Sequence, residues 1–183
     1  MKFSETEFKD LFVIEPHVLN DDRGWFMRTY DKEFFQNNFP DFNGDWRQMN
    51  HSYNSKKGTL RGLHYQKPPF QETKLIRCIA GAVMDFALDL RSGSETFLKV
   101  FKIELSADNR KMILLPKGFA HGFFTIQDHS ELVYAHDQYY RPEYDAGIYY
   151  KDELIKDMID ISPDIISEKD KNYQRLKKEF KGI

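Results

Sequence analysis

The chain has 183 residues, enough for one domain with a sizeable core, and its 27 basic and 29 acidic side chains leave a net charge of -2. That balance excludes an electrostatic case for nucleic-acid or membrane-surface binding, and no apolar run is long enough to span a bilayer. Cys78 is the only cysteine, which excludes an intrachain disulfide; with no signal-like apolar stretch at the N-terminus, the expected compartment is the cytoplasm.

In chain order, residues 12–14 read as a short strand stopped by Pro16, residues 20–24 as a turn, and 25–30 as the returning strand. Asp31 can cap a short helix running to Asn38, with Phe34 and Phe35 facing inward and Pro40 ending it. Residues 46–52 look extended, and 54–58 (Asn-Ser-Lys-Lys-Gly) turn into the stretch on which the chain is organised. That stretch, 58–85, carries Arg61, His64, Gln66, Lys74, Arg77 and Asp85 on segments that read as strands over 59–66, 73–79 and 82–90. Such side chains suit proton transfer and anion binding, and strands hold polar groups firmly. Arg61 and His64 are three apart and would face opposite sides of an ideal strand. Either Gly62 marks a bulge that corrects this, or the two serve different sites.

Further strands follow over 97–105, 112–115, 121–126 and 131–135, with one more within 144–152 and a charged C-terminal helix over 167–180. Short strands with turn signals every eight to twelve residues or so predict a mainly β antiparallel barrel or double-sheet jelly roll, here a single domain over 1–183. It should carry a short N-terminal helix and a C-terminal one. The spacing Pro-x-Gly-x-x-His at 116–121 resembles the second half of the cupin signature. The first half would bring a His-x-His pair and a carboxylate, but here His64 is followed by Gln66. A zinc or iron site needs about three protein ligands, so the expectation is a cupin-like barrel without a metal.

The motifs go further than the fold. Asp-Arg-Gly at 22–24, Arg-Gly-Leu-His-Tyr-Gln at 61–66 and Lys-Leu-Ile-Arg-Cys at 74–78 occur in order. Gly-x-Val-x-Asp at 81–85, Asp-Leu-Arg at 89–91, Pro-x-Gly-Phe-Ala-His-Gly-Phe at 116–123 and Ser-Glu-Lys-Asp at 167–170 complete the series. As an ordered set covering residues 12–170, they resemble the dTDP-4-dehydrorhamnose 3,5-epimerase family. The resemblance implies a cofactor-free isomerase, acting as a homodimer on a nucleotide-linked 4-keto-6-deoxy sugar in the biosynthesis of deoxysugars for surface polysaccharides such as O-antigen. It implies His64 as the base, Asp170 as its orienting partner, Lys74 as the cation facing the carbonyl oxygen, and Tyr134 as the acid on the opposite face. Arg23 and Arg61 would bind the diphosphate, and Gln48 and Tyr140 would contact the sugar or nucleotide.

Plainer readings stand beside these roles. Asp170 fits the third helical position of a capping box opened by Ser167. Tyr134 fits a packed core tyrosine and His121 a satisfied core histidine, while His136, Tyr139 and Tyr140 fit ordinary surface residues. His17, His51 and His129 carry no expected role. Arg28 stands where many family members have a glutamate in the nucleotide-contacting strand, and Tyr150 where a Trp is common. The alternatives are a ketoisomerase or single-carbon epimerase of the same barrel family, a metal-dependent cupin, and a non-catalytic carbohydrate-binding barrel.

Overall fold

The structure, a computed structural model, describes residues 1–39, 42 and 44–183; the expected helix stop at Pro40 lies outside the described residues. In chain order the elements are β1 (Lys2–Glu5), β2 (Phe12–Glu15), β3 (Val18–Asp21), β4 (Gly24–Met27), α1 (Lys32–Asn38), β5 (Gln48–Asn54), β6 (Thr59–Gln66) and β7 (Lys74–Ala80). There follow β8 (Ala82–Asp89), β9 (Val100–Ser106), β10 (Met112–Leu115), β11 (Phe119–Thr125), β12 (Ser130–His136), β13 (Asp145–Gly147), β14 (Ile165–Ile166) and α2 (Glu168–Lys171). One sheet runs β1-β2-β10-β7-β12-β5 and a second runs β13-β6-β11-β8-β9; β14 adds to β6, and β3-β4 form a separate hairpin. All neighbours within the two sheets are antiparallel except the β14-β6 pair. This is the cupin-like jelly roll that the strand pattern predicts.

The central strands β8, β10 and β11 are buried on both faces, which explains their nearly continuous apolar runs. Between the sheets, Ile76, Cys78, Ile113, Leu115 and Leu132 meet Val83, Ala87, Leu105, Phe119 and Phe123. The outer face of the first sheet is covered by α1: Phe35 and Phe39 lie on Ile14, Leu75, Met112 and Leu114. Asp31 starts that helix as expected, its side chain accepting from Phe34 N at 3.0 Å. The outer face of the second sheet lies under the C-terminal segment, where Leu60, Leu63, Phe86 and Leu88 contact Ile148, Tyr150, Ile155 and Ile159. The two faces of β8 differ in side-chain size. The larger set, Phe86 and Leu88 with Leu90 just past the strand end, packs outward under this cover, while Val83 and Ala87 face the other sheet.

The C-terminal helix expected over 167–180 is a single turn, α2, followed by an irregular strap. Tyr173, Leu176 and Phe180 have helical spacing, but tertiary anchors take precedence over local propensity. Leu176 N donates to Asp152 Oδ2 at 2.6 Å, Phe180 stacks on Phe97 at 5.9 Å, and Ile183 N donates to Leu90 O at 2.8 Å. The strand expected to reach Tyr30 ends at Met27, and that within 144–152 is confined to β13. Among the described residues no helix is long and apolar enough to cross a membrane.

Candidate active site

The parity conflict between Arg61 and His64 is removed by a bulge. Across β6-β11, His121 pairs with His64 and Phe123 with Arg61, so three residue steps on one strand oppose two on the other. Gly62 makes this possible: its φ is +127°, and a Cβ there would meet Gly122 Cα at 2.5 Å. Both Arg61 and His64 then line one cavity of about 320 Å³, together with Lys74, His121, Tyr134, Tyr140 and others.

His64 Nε2 lies 2.7 Å from Asp170 Oδ1, and Asp170 Oδ2 accepts from Gly62 N at 3.0 Å. Burial alone would push the Asp170 carboxyl up; the bonds from His64 and Gly62 outweigh it and hold the group below its ordinary value. An ionised carboxylate only accepts, so Nε2 carries the proton in neutral His64 and the lone pair sits on Nδ1. Half of the capping-box reading of Asp170 holds: its backbone N donates to Ser167 Oγ at 3.0 Å, while its carboxylate is spent on His64 and Gly62. The one-turn helix thus aims the carboxylate at the histidine.

The facing sheet supplies the other groups. Lys74, on β7, is buried with Nζ 3.0 Å from Glu72 Oε1, and the second Glu72 oxygen lies 2.9 Å from His136 Nδ1. Burial favours the neutral form of Glu72, but Lys74 and His136 together bring its pKa down from 4.5 to about 2. Tyr134, on β12, packs against the inter-sheet core and meets Ser52 Oγ at 3.0 Å through its hydroxyl. Burial pushes this phenol up, more than the Ser52 bond lowers it. At the back of the cavity His121 Nε2 lies 2.9 Å from the buried Asp85 Oδ2, and burial raises the Asp85 carboxyl despite His121 and Lys74. An imidazole bonded to a carboxylate thus faces the Lys74 side chain and a protonated phenol across one cavity. This arrangement can remove a proton, hold the resulting negative charge and return a proton.

The family model for dTDP-4-dehydrorhamnose 3,5-epimerase matches residues 5–178. The dTDP-4-dehydrorhamnose 3,5-epimerase of Escherichia coli is 41% identical over 96% of this chain and 95% of its own length. The crystal structure of the enzyme of that name from Bacillus anthracis, with TDP and PPi bound, superposes with a TM-score of 0.90 at 39% identity, covering 96% of this chain and 99% of that one. The Legionella pneumophila dTDP-6-deoxy-D-glucose-3,5-epimerase, in complex with dTDP-4-keto-L-rhamnose, superposes at 0.87 with 33% identity, covering 95% and 92%. The chain belongs to the dTDP-4-dehydrorhamnose 3,5-epimerase family.

In this epimerase-family chain, six of the eight residues singled out from the sequence sit at or against the cavity: His64, Lys74, Arg61, Tyr134 and Tyr140 line it, and Asp170 bonds His64. Gln48 supports it indirectly, its Oε1 accepting from Tyr140 N at 3.1 Å. Arg23 does not reach it within one chain; it sits on the β3-β4 hairpin, paired with Asp21 at 2.6 Å, its side chain 88% exposed. Arg28 pairs with Asp31 at 2.6 Å. His136 is buried against Glu72 rather than a surface residue, and His51, given no role from the sequence, lines the cavity. Glu72, Asn50, Ser52, Asp145 and Lys169 line it too and were missed. Glu72 stands two residues before Lys74, a spacing that puts both on one side of an extended chain and was the available signal.

Glu72 carries a pH prediction. Its folded pKa, about 2, lies below the ordinary 4.5, so the stabilisation is fully present above that ordinary value and is lost as pH falls toward 2. Glu72→Gln should therefore be less stable than wild type at pH 7, by about 3 kcal/mol at most, and the difference should shrink as pH falls through 4 to 3. Urea unfolding at each pH checks this; a difference that stays constant contradicts it.

Proposed function

We propose that the chain inverts carbons 3 and 5 of dTDP-4-dehydro-6-deoxy-D-glucose, giving dTDP-4-dehydro-L-rhamnose for rhamnose-donor biosynthesis. The observation that carries this is the placement of His64-Asp170 on one sheet side of the cavity and of Lys74 and Tyr134 on the other. Both carbons flank the ketone at carbon 4, so deprotonating either gives an enolate whose charge sits on the same oxygen. One cation can serve both steps. His64 Nδ1 takes the proton, and the imidazolium formed is stabilised by Asp170. Lys74, kept in place by Glu72, stabilises the enolate oxygen. Tyr134 gives its proton to the opposite face of the carbon, and solvent restores both groups before the second carbon reacts. Arg61, fixed by its Nε donating to Asn54 Oδ1 at 2.7 Å, takes the diphosphate, with Tyr140 beside the nucleotide. Every step is carried by side chains of the chain, so the reading is cofactor-free.

A homodimer belongs to the same reading. The hairpin exposes Leu19, Trp25 and Phe26, and the edge strand β5 exposes Met49 and Tyr53. Arg23 can serve a diphosphate only if the hairpin of a second copy brings it there. Light scattering at micromolar concentration should give twice the chain mass; a clean monomer mass contradicts the dimer. The function itself is tested by incubating the protein, with chelator present, with dTDP-4-dehydro-6-deoxy-D-glucose in deuterated water. Formation of the L-rhamno product, with one deuterium at each of the two carbons, is the expected result. No turnover, inversion at one carbon alone, or migration of the keto group overturns it.

A further inference from the structure

We propose that Tyr173, on the strap after α2, is a positioning residue for His64, seated in a slot that Gly147 leaves open. The inference deepens the reading of His64 as base and rests on it. The Tyr173 ring stands edge-on to the imidazole, with centroids 5.7 Å apart and planes at 69°. Gly147 is the cross-strand partner of His64 in the β13-β6 pair, and a Cβ there would lie 2.3 Å from two carbons of the Tyr173 ring. The tyrosine ring therefore occupies the space that any side chain at 147 would fill. Asp170 fixes His64 at Nε2, but a single hydrogen bond leaves the imidazole free to swing about it. The Tyr173 ring is a second, lateral contact that removes this freedom. The two supports lie three residues apart on one short segment, so docking of the strap delivers both together. The strap's own anchor is close by, at Leu176 N on Asp152 Oδ2.

The chemistry of Tyr173 points to its ring rather than its hydroxyl. The hydroxyl is turned away from the imidazole: the polar group it meets is the Lys169 ammonium, which is held independently by Asp145. Removing the hydroxyl should then leave His64 where it is, whereas removing the ring should not.

The test compares Tyr173→Phe, Tyr173→Ala and Gly147→Ala in the full chain. Tyr173→Phe should stay within about twofold of wild type, while Tyr173→Ala should lower kcat by about 10-fold with KM little changed, the signature of a misplaced base. Gly147→Ala should push the ring out and reproduce the Tyr173→Ala loss. Tyr173→Leu, which keeps volume without a flat ring, serves if the alanine variant does not fold, and should lose kcat likewise. A second readout needs no substrate: NMR relaxation dispersion at the His64 Cε1–H should show ring motion in Tyr173→Ala and none in wild type or Tyr173→Phe. Equal losses in the Phe and Ala variants, a KM effect alone, or a His64 ring as still in Tyr173→Ala as in wild type would each overturn the proposal. Should the wild-type protein not turn over the sugar, the function assigned above fails, and the relaxation measurement still decides the role of Tyr173.

Discussion

His64→Ala is expected to lose solvent-deuterium uptake at carbon 3 and at carbon 5 together, by about 10²-fold or more, as for removal of a general base. The joint loss is the informative part. Both carbons flank one ketone, and His64 is the imidazole whose Nε2 is held by a carboxylate within hydrogen-bond reach of the bulge. The variant should remain folded. The His64 side chain is 37% exposed at the cavity wall, and Asp170 keeps its bond from Gly62 N when the imidazole is gone. Loss of the His64 partner costs about 1–3 kcal/mol, which a circular dichroism melt can register separately from activity. Proton NMR of the sugar in deuterated water measures each carbon independently. Exchange at either carbon near the wild-type rate would show that a second base serves it.

Tyr134→Phe should be nearly as damaging to inversion, with about 10²-fold less L-rhamno product, yet for a different reason. The ring and its contacts with the core persist, and only the hydrogen bond to Ser52 Oγ is lost, worth about 1 kcal/mol. Because burial raises the phenol, Tyr134 is protonated throughout the neutral range, the state that the proposed role of proton donor requires. Without it the enolate still forms, since His64 and Lys74 are untouched.

Much of this was legible in the chain because strands and turns are local. The strands over 59–66 and 112–115 coincide with β6 and β10, and the Asp31 cap opens α1 as read. The segment 167–180 misled because its apolar spacing is helical, while the contacts that pull Leu176, Phe180 and Ile183 onto the sheet are all distant in sequence. The same distinction runs through the site. His64, Lys74 and Asp170 stand in recognisable motifs. His136 meets Glu72 and Lys74 only through the register in which it pairs with Lys74 across β12-β7, and no local pattern encodes that pairing. Gly62 was legible as a bulge candidate, but the side to which Arg61 would turn depended on the pairing of β6 with β11. Arg23 belongs to a well-read turn, yet its distance from the cavity follows from where the hairpin sits in space.

In the proposed reaction one cavity takes a proton from one face of the sugar and returns one to the other through different side chains. The most direct measurement is the ratio of deuterium exchange to inversion at carbons 3 and 5 in Tyr134→Phe, read from one proton NMR sample against wild type. The His64 ring reaches solvent, so a proton it has taken can be replaced by deuterium and returned to the same face. Tyr134→Phe should give sugar that has gained deuterium with its configuration retained, and a ratio raised by about 10²-fold over wild type. An unchanged ratio, with exchange and inversion falling together or both persisting, would contradict it.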